Sequence, residues 1–364
     1  MKYHIIQNEN DFKSSKQIWE RLYESCGCCT VFQTFEWNYE WWLKGHREDQ
    51  LFIIVFFKKN IENPIAIFPL IIDEKNILRF IADIHTDFSK ILSTDLDIAD
   101  MYDISKIFFN LFNNCSCKSI ELKNINQDDA LINYLQLPFD NKKIFFQSNG
   151  YSYLEITPVK DNFFNSFSHL KSKRKSELKR IYKKYSGYTS SILTANTDTF
   201  PLDDIKSISN EMTKNGLREE TFLDSTLLEI IYVLYEKDNL IIQTIQNSRG
   251  ESVAMNFVLK SPKERYIFWI DIYKNFQYIN IFSYITFMKT IIESSDKQII
   301  FDFGRGLYDY KIKNFLPIIK QQYTFFFSKY NFDFLSYLSK FFAKKSIMNF
   351  YKKNKILINK LIKR

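Results

Sequence analysis

Short apolar runs, separated by turn residues, follow one another in a fixed order along the first part of the chain. Three such runs between residues 51 and 82 are rich in Ile and Phe and are bounded by Lys, Asp, Asn or Pro, which predicts a meander of three strands. Apolar residues then recur at helical spacing over residues 98–112, and SIELKNI predicts a further strand. The predicted unit is β-β-β-α-β.

The same order of elements returns in the second part of the chain. LIIQTIQ, SVAMNFVL and RYIFWIDIY predict three strands, a helix is predicted over residues 279–293, and QIIFDFG predicts the last strand. Between the units, residues 161–185 combine helical apolar spacing with a dense basic face, and two more helices are predicted over 202–214 and 225–237. The copies share element order rather than sequence.

Length and composition predict how these units are organised. A chain of 364 residues exceeds the size at which a single hydrophobic core stops growing, and 45% hydrophobic residues are enough to build two cores. We predict a mixed α/β (α+β) fold with domains at 1–150 and 151–330, a basic helix inserted at 161–185, and a tail at 331–364. Since no apolar run approaches the ~20 residues that cross a bilayer, and no secretory signal is evident, a cytoplasmic protein is expected.

The cysteines form two tight clusters instead of a spread framework. The spacings within ESCGCCT and CSC are too short for the paired ligands of a structural zinc site, so no metal is predicted and reduced thiols are expected. The five residues are Cys26, Cys28, Cys29, Cys115 and Cys117.

The net charge of +8 arises in the tail. Eight basic residues and no acid lie between Lys344 and Arg364, so the rest of the chain is formally neutral. Apolar residues at helical spacing alternate with these charges. Residues 344–364 therefore suit either an anionic membrane surface or packing on the second domain.

Five motifs, taken in order, resemble a known family. They are FQTFEWNYEWW (32–42), IAIFPLII (65–72), IHTDFSKIL (84–92), LKSKRKSELKR (170–180) and FDFGRGLYDYK (301–311). Together they resemble the cellulose-biosynthesis-type and FemAB-like acyltransferases of the GNAT acetyltransferase superfamily. The resemblance implies two tandem GNAT-like halves with a cleft between them, an acyl donor that is acyl-CoA or aminoacyl-tRNA, and an amine acceptor.

Transfer of an acyl group to an amine requires a base and groups that stabilise an oxyanion. Asp302 lies in an apolar strand, where a charge needs a partner, and Arg305 is the nearest candidate. Asp302 is therefore either catalytic or half of a structural ion pair. Asp87, in the loop HTDFS, is the second catalytic candidate, or else a turn residue. The other predicted substrate-binding residues at this turn, besides Arg305, are Tyr308, Tyr310 and Lys311.

Near the N-terminus, Glu36, Trp37 and Trp41 form a second candidate substrate site. Tryptophans at this density can stack on a sugar, whereas the alternative is the edge of an aromatic core beside a solvated acid.

The coenzyme site expected of an acetyltransferase fold is altered here. The family turn Arg/Gln-x-x-Gly-x-Gly exposes backbone N–H groups to pyrophosphate, but residues 277–282 contain neither glycine. Gln277, Asn280 and Ser283 are the remaining predicted donor-binding residues. The basic face of 161–185 is either solvated or in contact with the phosphates of a nucleotide-linked substrate or tRNA.

Three functions follow. The first is an N-acyltransferase that moves an acyl group, most simply acetyl, from the co-substrate acyl-CoA to an amino sugar in surface polysaccharide or cell-envelope biosynthesis. The second uses aminoacyl-tRNA as donor. The third is a non-catalytic, membrane-docked component of a polysaccharide-assembly complex. No permanently bound cofactor and no DNA partner are expected.

Overall fold

The computed structural model describes residues 1–58, 63–129, 131–135, 143–159, 162–274, 278–331 and 333–340. The strands are β1 (Lys2–Ile6), β2 (Gln50–Leu51), β3 (Ile53–Phe57), β4 (Pro64–Phe68), β5 (Leu70–Ile72), β6 (Ile77–Phe80), β7 (Leu92–Ser93), β8 (Ser119–Asn126), β9 (Lys143–Ile156), β10 (Thr189–Leu193), β11 (Leu240–Gln246), β12 (Ser252–Ser261), β13 (Arg265–Tyr273), β14 (Ile299–Arg305) and β15 (Ile318–Ser328).

The α-helices are α1 (Glu9–Ser14), α2 (Lys16–Ser25), α3 (Phe35–Gly45), α4 (Ile98–Asn114), α5 (Leu131–Leu135), α6 (Ser172–Lys184), α7 (Leu202–Lys214), α8 (Ser225–Glu236), α9 (Ile279–Ser294) and α10 (Asp309–Phe315). Short 3-10 helices occur at Val31–Gln33, Phe163–Asn165 and Glu220–Leu223.

The predicted repeat of element order is confirmed. The first unit contains β3, β4, β5, β6, α4 and β8, and the second contains β11, β12, β13, α9 and β14. One predicted strand, at 65–72, is divided at Pro69, which has no N–H for a sheet ladder. As a result β4 joins a four-stranded sheet of order β1-β3-β4-β7, whereas β5 joins a much larger sheet.

The large sheet joins the two units. Its order is β10-β11-β12-β13-β14-β9-β15-β8-β6-β5-β2. At its centre β9 and β15 pair antiparallel; β9 also pairs with β14 of the second unit, and β15 with β8 of the first. β15, the last strand along the chain, therefore joins the two units together with β9. The domain boundary predicted after residue 150 falls inside β9.

In each unit the last two strands run parallel and pair only briefly. β6 and β8 pair at Ile77 and Leu78, and β13 and β14 pair from Arg265 to Ile267. Beyond these positions the two strands no longer pair with each other, and we call each such unpaired stretch an opening. The loop at residues 81–91 fills the first opening: Asn124 donates hydrogen bonds to two of its carbonyl oxygens, and Ser89 bridges to Ile125. The second opening lies between β13 and β14, next to this loop.

The buried hydrophobic side chains form three clusters, and one of them contains residues of both units. One cluster of buried side chains includes Trp37 and Trp41 of α3, Leu234 of α8 and Ile267 of β13. A second cluster surrounds α9, and a third surrounds α4. The shared cluster holds the first unit against the second, so a site at their junction has a rigid frame.

The prediction of one long helix at 161–185 is wrong for the first half of that range. The side chain of Asn162 caps a 3-10 turn, and the α-helix begins only at Ser172. Phe163, Phe167 and Leu170 are buried against α9 instead of continuing a helical stripe. The basic helix is therefore α6, with its apolar face on α9.

The expectation of reduced thiols is also wrong. Cys26 bonds to Cys29 and Cys115 bonds to Cys117, with Cα atoms 5.7 and 5.5 Å apart, and Cys28 is the free cysteine. These separations lie within the range that a disulfide spans.

Of the predicted tail at 331–364, the structure describes residue 331 and residues 333–340, which are helical. The membrane prediction for residues 344–364 falls outside the described residues. None of the helices in the described ranges combines the length and apolar character needed to cross a membrane.

Candidate active site at the junction of the two units

Asp302 is the most buried acid at the second opening. Its side chain is fully buried in β14 and accepts hydrogen bonds from Arg265 Nη2 (2.5 Å) and from the backbone N–H of Gly304 (2.8 Å). Burial raises the pKa of Asp302, and the Arg265 guanidinium opposes that rise. The predicted pairing with Arg305 is wrong, because Gly304 adopts a positive φ of 66° and the register of β14 shifts between Asp302 and Arg305.

Arg305 instead holds the loop of the first unit. Its Nη2 donates to the carbonyl of Ile84 (2.7 Å), and its Nε lies 3.6 Å from Asp87 Oδ1. Gln322 of β15 donates to the carbonyl of Asp87 (2.6 Å). Two distant strands, β14 and β15, thus hold one loop of the first unit.

Gly304 lies between Asp87 and Asp302 and contacts both side chains. A Cβ added to Gly304 would lie closer than 3.0 Å to Asp87 Oδ2, so the two carboxylates flank a residue that leaves no room for a side chain. Burial raises the pKa of Asp87 to about 6, and the Arg305 guanidinium acts in the opposite direction. A carboxyl group with this pKa exchanges its proton near neutral pH.

Lys311 supplies a buried cation at the same place. It lies on α10, its side chain is 4% exposed, and its Nζ donates to the carbonyl of Phe303 at 2.6 Å. The Tyr308 and Tyr310 rings lie 5.2 and 5.9 Å from Nζ. Burial lowers the pKa of Lys311, while the charges of Asp271, Asp87 and Asp302 act to raise it. The structure therefore brings Asp302, Asp87, Arg305, Tyr308, Tyr310 and Lys311 close together, and their roles in catalysis and substrate binding stay predictions.

Asp271 and Arg265 were not predicted. Both lie on β13, and Asp271 is half-buried close enough to Lys311 to affect its pKa. Burial raises the pKa of Tyr310 and the charge of Asp271 raises it further. The signal was present in RYIFWIDIY, since an acid inside an apolar strand is the same signal that identified Asp302.

The predicted stacking role of Trp37 and Trp41 is not supported. Both rings are buried, with Trp37 Nε1 donating to Thr86 Oγ1 (3.0 Å) and Trp41 stacked on His85 at 4.2 Å. Trp37 also packs edge-on against Trp269 of β13, 5.2 Å between centroids. The two tryptophans therefore support loop 81–91, and a sugar cannot reach their faces.

The other predicted residues that the structure describes are Glu36, Asn280 and Ser283. Glu36 pairs with Lys16 (2.8 Å) at the start of α3. Ser283 is 1% exposed and donates to the carbonyl of Asn280 (2.8 Å), so it is not placed to donate to a phosphate, and the Asn280 side chain accepts from the N–H of Ile281. Gln277 lies outside the described residues.

The basic helix lies beside the start of α9. Tyr182 of α6 and Tyr185, the residue after α6, pack on Phe282. Lys184 Nζ is 5.9 Å from the ring of Tyr278, the residue before α9. The exposed basic residues on this part of α6 are Lys179, Arg180, Lys183 and Lys184. Positive charge is therefore concentrated beside the N-terminus of α9.

No family model matches the sequence, and no curated protein matches it significantly. Solved structures do match along almost the whole chain. The C-terminal domain of a putative lysylphosphatidylglycerol synthetase from Agrobacterium fabrum aligns with a TM-score of 0.58 at 12% identity, covering 90% of this chain and 95% of that one. FemX aligns with a TM-score of 0.58 at 12% identity, covering 89% and 97%.

The chain has the tandem acetyltransferase fold. L-PGS from Bacillus licheniformis supports the same conclusion, with a TM-score of 0.57 at 13% identity over 86% of this chain and 92% of that one. The likeness to FemX confirms the FemAB-like part of the predicted resemblance at the level of fold. The cellulose-biosynthesis-type part stays a prediction, since identities this low relate folds rather than functions.

Proposed function

We propose that this protein is an acyltransferase that moves an aminoacyl group from aminoacyl-tRNA to an amine at the second opening. The observation that carries the proposal is the buried Lys311 beside Asp87, Asp302 and Asp271, at a point where two strands part. A buried cation next to a carboxylate with a pKa near 6 supplies both groups that acyl transfer needs.

In the proposed reaction the amine nitrogen attacks the ester carbonyl of the donor and forms a C–N bond. The electron pair of the carbonyl moves to oxygen, where the Lys311 ammonium stabilises the negative charge. Asp87 accepts the proton that the attacking nitrogen loses. The intermediate then collapses, the C–O bond to the tRNA breaks, and the departing terminal oxygen takes up the proton that Asp87 holds, which returns Asp87 to its ionised form. The products are an amide and a free tRNA hydroxyl.

Two observations favour tRNA over a small donor. Ser283 is buried and both phosphate-loop glycines are missing, so the usual pyrophosphate contacts are incomplete. The exposed cations of α6 lie beside this position and suit a long polyanion. The name lysylphosphatidylglycerol synthetase, carried by a protein of the same fold, is consistent with aminoacyl transfer.

The donor is tested by measuring binding of a mixed aminoacyl-tRNA pool across salt concentrations. We expect the logarithm of affinity to fall linearly with the logarithm of salt, and the slope to shrink by roughly one for each phosphate contact removed. The test variant changes Lys179, Arg180, Lys183 and Lys184 to Gln. The control changes Lys106, Lys118, Lys206 and Lys214, which are equally exposed on other surfaces, to Gln. Binding that does not depend on salt, or equal loss in both variants, refutes tRNA as donor.

Catalysis is tested separately from binding. Lys311→Met should retain tRNA binding and lose about 10²-fold in formation of base-stable, amide-linked product from labelled aminoacyl-tRNA and a cell-envelope extract. Lys313→Met is the matched control, because that lysine lies on the same helix and is 69% exposed. Unchanged turnover of Lys311→Met refutes the role of Lys311.

Acyl-CoA is the second candidate donor, with the amine of an amino sugar as acceptor. The N-cap of α9, Tyr278, provides no side-chain cap, which leaves a helix N-terminus available to a pyrophosphate. Calorimetry with acetyl-CoA distinguishes the candidates. Saturable binding that tRNA does not displace, with transfer to glucosamine, favours this second function.

A further inference from the structure

Apolar side chains are concentrated on one exposed segment next to the second opening. Of the fourteen exposed large hydrophobic side chains in the described residues, five fall within residues 307–319. Isolated exposed hydrophobics are common on protein surfaces, whereas a contiguous group marks an interaction surface. Ile318 and Ile319 are successive residues of β15 and point to opposite faces of the sheet, so Ile318 is not counted with the others. We name the remaining four the apolar rim, and its members are Leu307, Tyr308, Leu316 and Ile319.

The fold holds the apolar rim in place. Gly306 donates to the carbonyl of Gly150 (2.8 Å), which fixes the start of the segment on β9. Ile318 and Ile319 pair with β9 in the large sheet, which fixes its end. Between these points lies α10, and the rim residues before and after this helix are exposed to solvent. The exposure is therefore a property of the folded sheet.

Leu316 is held in an unfavourable backbone conformation. It caps α10 with φ 44° and ψ 54°, the left-handed region in which Gly or Asn is the usual residue. Its side chain is nevertheless 48% exposed, so the strain is not compensated by burial within this chain. A strained and exposed leucine is expected where the side chain serves an external apolar partner.

Positive charge borders the apolar rim. The carbonyl of Phe315 lies 2.9 Å from His169 Nε2, which places the exposed Lys171 and Lys173 beside the end of α10. Lys313 on α10 is exposed too, although it pairs with Asp309. Aliphatic residues and a tyrosine bordered by lysines form the composition of a surface that inserts shallowly between anionic headgroups.

We propose that the apolar rim docks on a bilayer that contains anionic lipids. The exposed Lys171 and Lys173 beside the rim favour anionic headgroups. The rim also projects at both ends of α10 and does not form a groove that would hold a peptide. Tyr308 contacts Lys311, so docking would turn the mouth of the second opening towards the lipid surface. The proposal holds whichever donor the protein uses and does not involve residues 344–364.

The test is cosedimentation of the full chain with vesicles of phosphatidylcholine alone and of phosphatidylcholine mixed with phosphatidylglycerol. Leu316→Ser with Ile319→Ser should lower the partition coefficient at least about tenfold on the mixed vesicles. Lys171→Gln with Lys173→Gln should lower it by about fivefold per charge at low salt. The matched control is Ile98→Ser with Tyr102→Ser on α4, which are as exposed but lie outside the rim.

Binding that is lost in the rim variants and kept in the α4 control supports the proposal. Three results overturn it. The first is no binding of the parent chain. The second is equal binding of parent and rim variants, which would assign the membrane contact to another part of the chain. The third is a dimer of the parent chain that the rim variants convert to monomer, measured by light scattering, which would make the rim a contact between two copies. Circular dichroism checks that each variant is folded.

Discussion

Replacing Gly304 with alanine tests whether the residue between Asp87 and Asp302 can carry a side chain. Gly304 has φ 66°, and an added Cβ would lie closer than 3.0 Å to Asp87 Oδ2 and 3.3 Å from the carbonyl of Phe268. Asp87 cannot retreat freely, because Arg305 and Gln322 hold its loop. Gly304→Ala therefore forces either the carboxylate or the strand to move.

The expected cost has two parts. Placing alanine in the left-handed region costs about 1 kcal/mol. Displacing a buried carboxylate from its partner costs a further ~1–3 kcal/mol. We expect Gly304→Ala to lower the free energy of unfolding by about 2–4 kcal/mol in total.

Urea unfolding of Gly304→Ala and Gly216→Ala separates the two parts. Gly216 has nearly the same φ, 65°, and nothing lies within 4 Å of the position that an added Cβ would take, so that variant should lose only the conformational part. In an Asp87→Ala background, Gly304→Ala should cost no more than Gly216→Ala. The reasoning is refuted if Gly304→Ala and Gly216→Ala are equally stable in the parent background.

Three further predictions concern the same region. Asp302→Asn should lower the free energy of unfolding by about 2–4 kcal/mol, because it leaves the Arg265 guanidinium without its carboxylate. In a double-mutant cycle, Asp302→Asn with Arg265→Gln should lose less stability than the sum of the two single variants, and additive losses would contradict the pairing. The pKa of Asp87, about 6 in the folded state, lies above its ordinary value of 3.8, so its contribution to stability is present below about pH 4 and lost as pH rises through 6. Thermal unfolding from pH 4 to 7 should show this loss, of about 3 kcal/mol, in the parent and not in Asp87→Asn. Trp37→Phe should cost about 1 kcal/mol more than Trp41→Phe in urea unfolding, because of these two only Trp37 Nε1 has a hydrogen-bond partner in the described residues; equal costs would contradict it.

Several parts of the site could be predicted because their signal is local. The motif at 301–311 places Asp302, Arg305 and Lys311 within a few residues, so a single strand and turn bring them to one end of the sheet. The same reasoning about acids in apolar strands would have identified Asp271 had it been applied to β13.

Other parts depended on contacts between distant segments. Tryptophans at helical spacing do not reveal which face is covered, and Trp37 and Trp41 are covered by loop 81–91 and β13. The partner of Asp302 is Arg265, because the positive φ of Gly304 turns the closer arginine towards Asp87.

Hydrophobic periodicity was enough to predict the order of strands and helices in both units, since it is a property of each segment alone. It could not predict that β15 returns between β8 and β9, that loop 81–91 fills the first opening while the second lies beside Lys311, or that Asp87 reaches the second unit. Those outcomes depend on strand register and on packing between segments far apart in sequence, and neither is encoded in local periodicity.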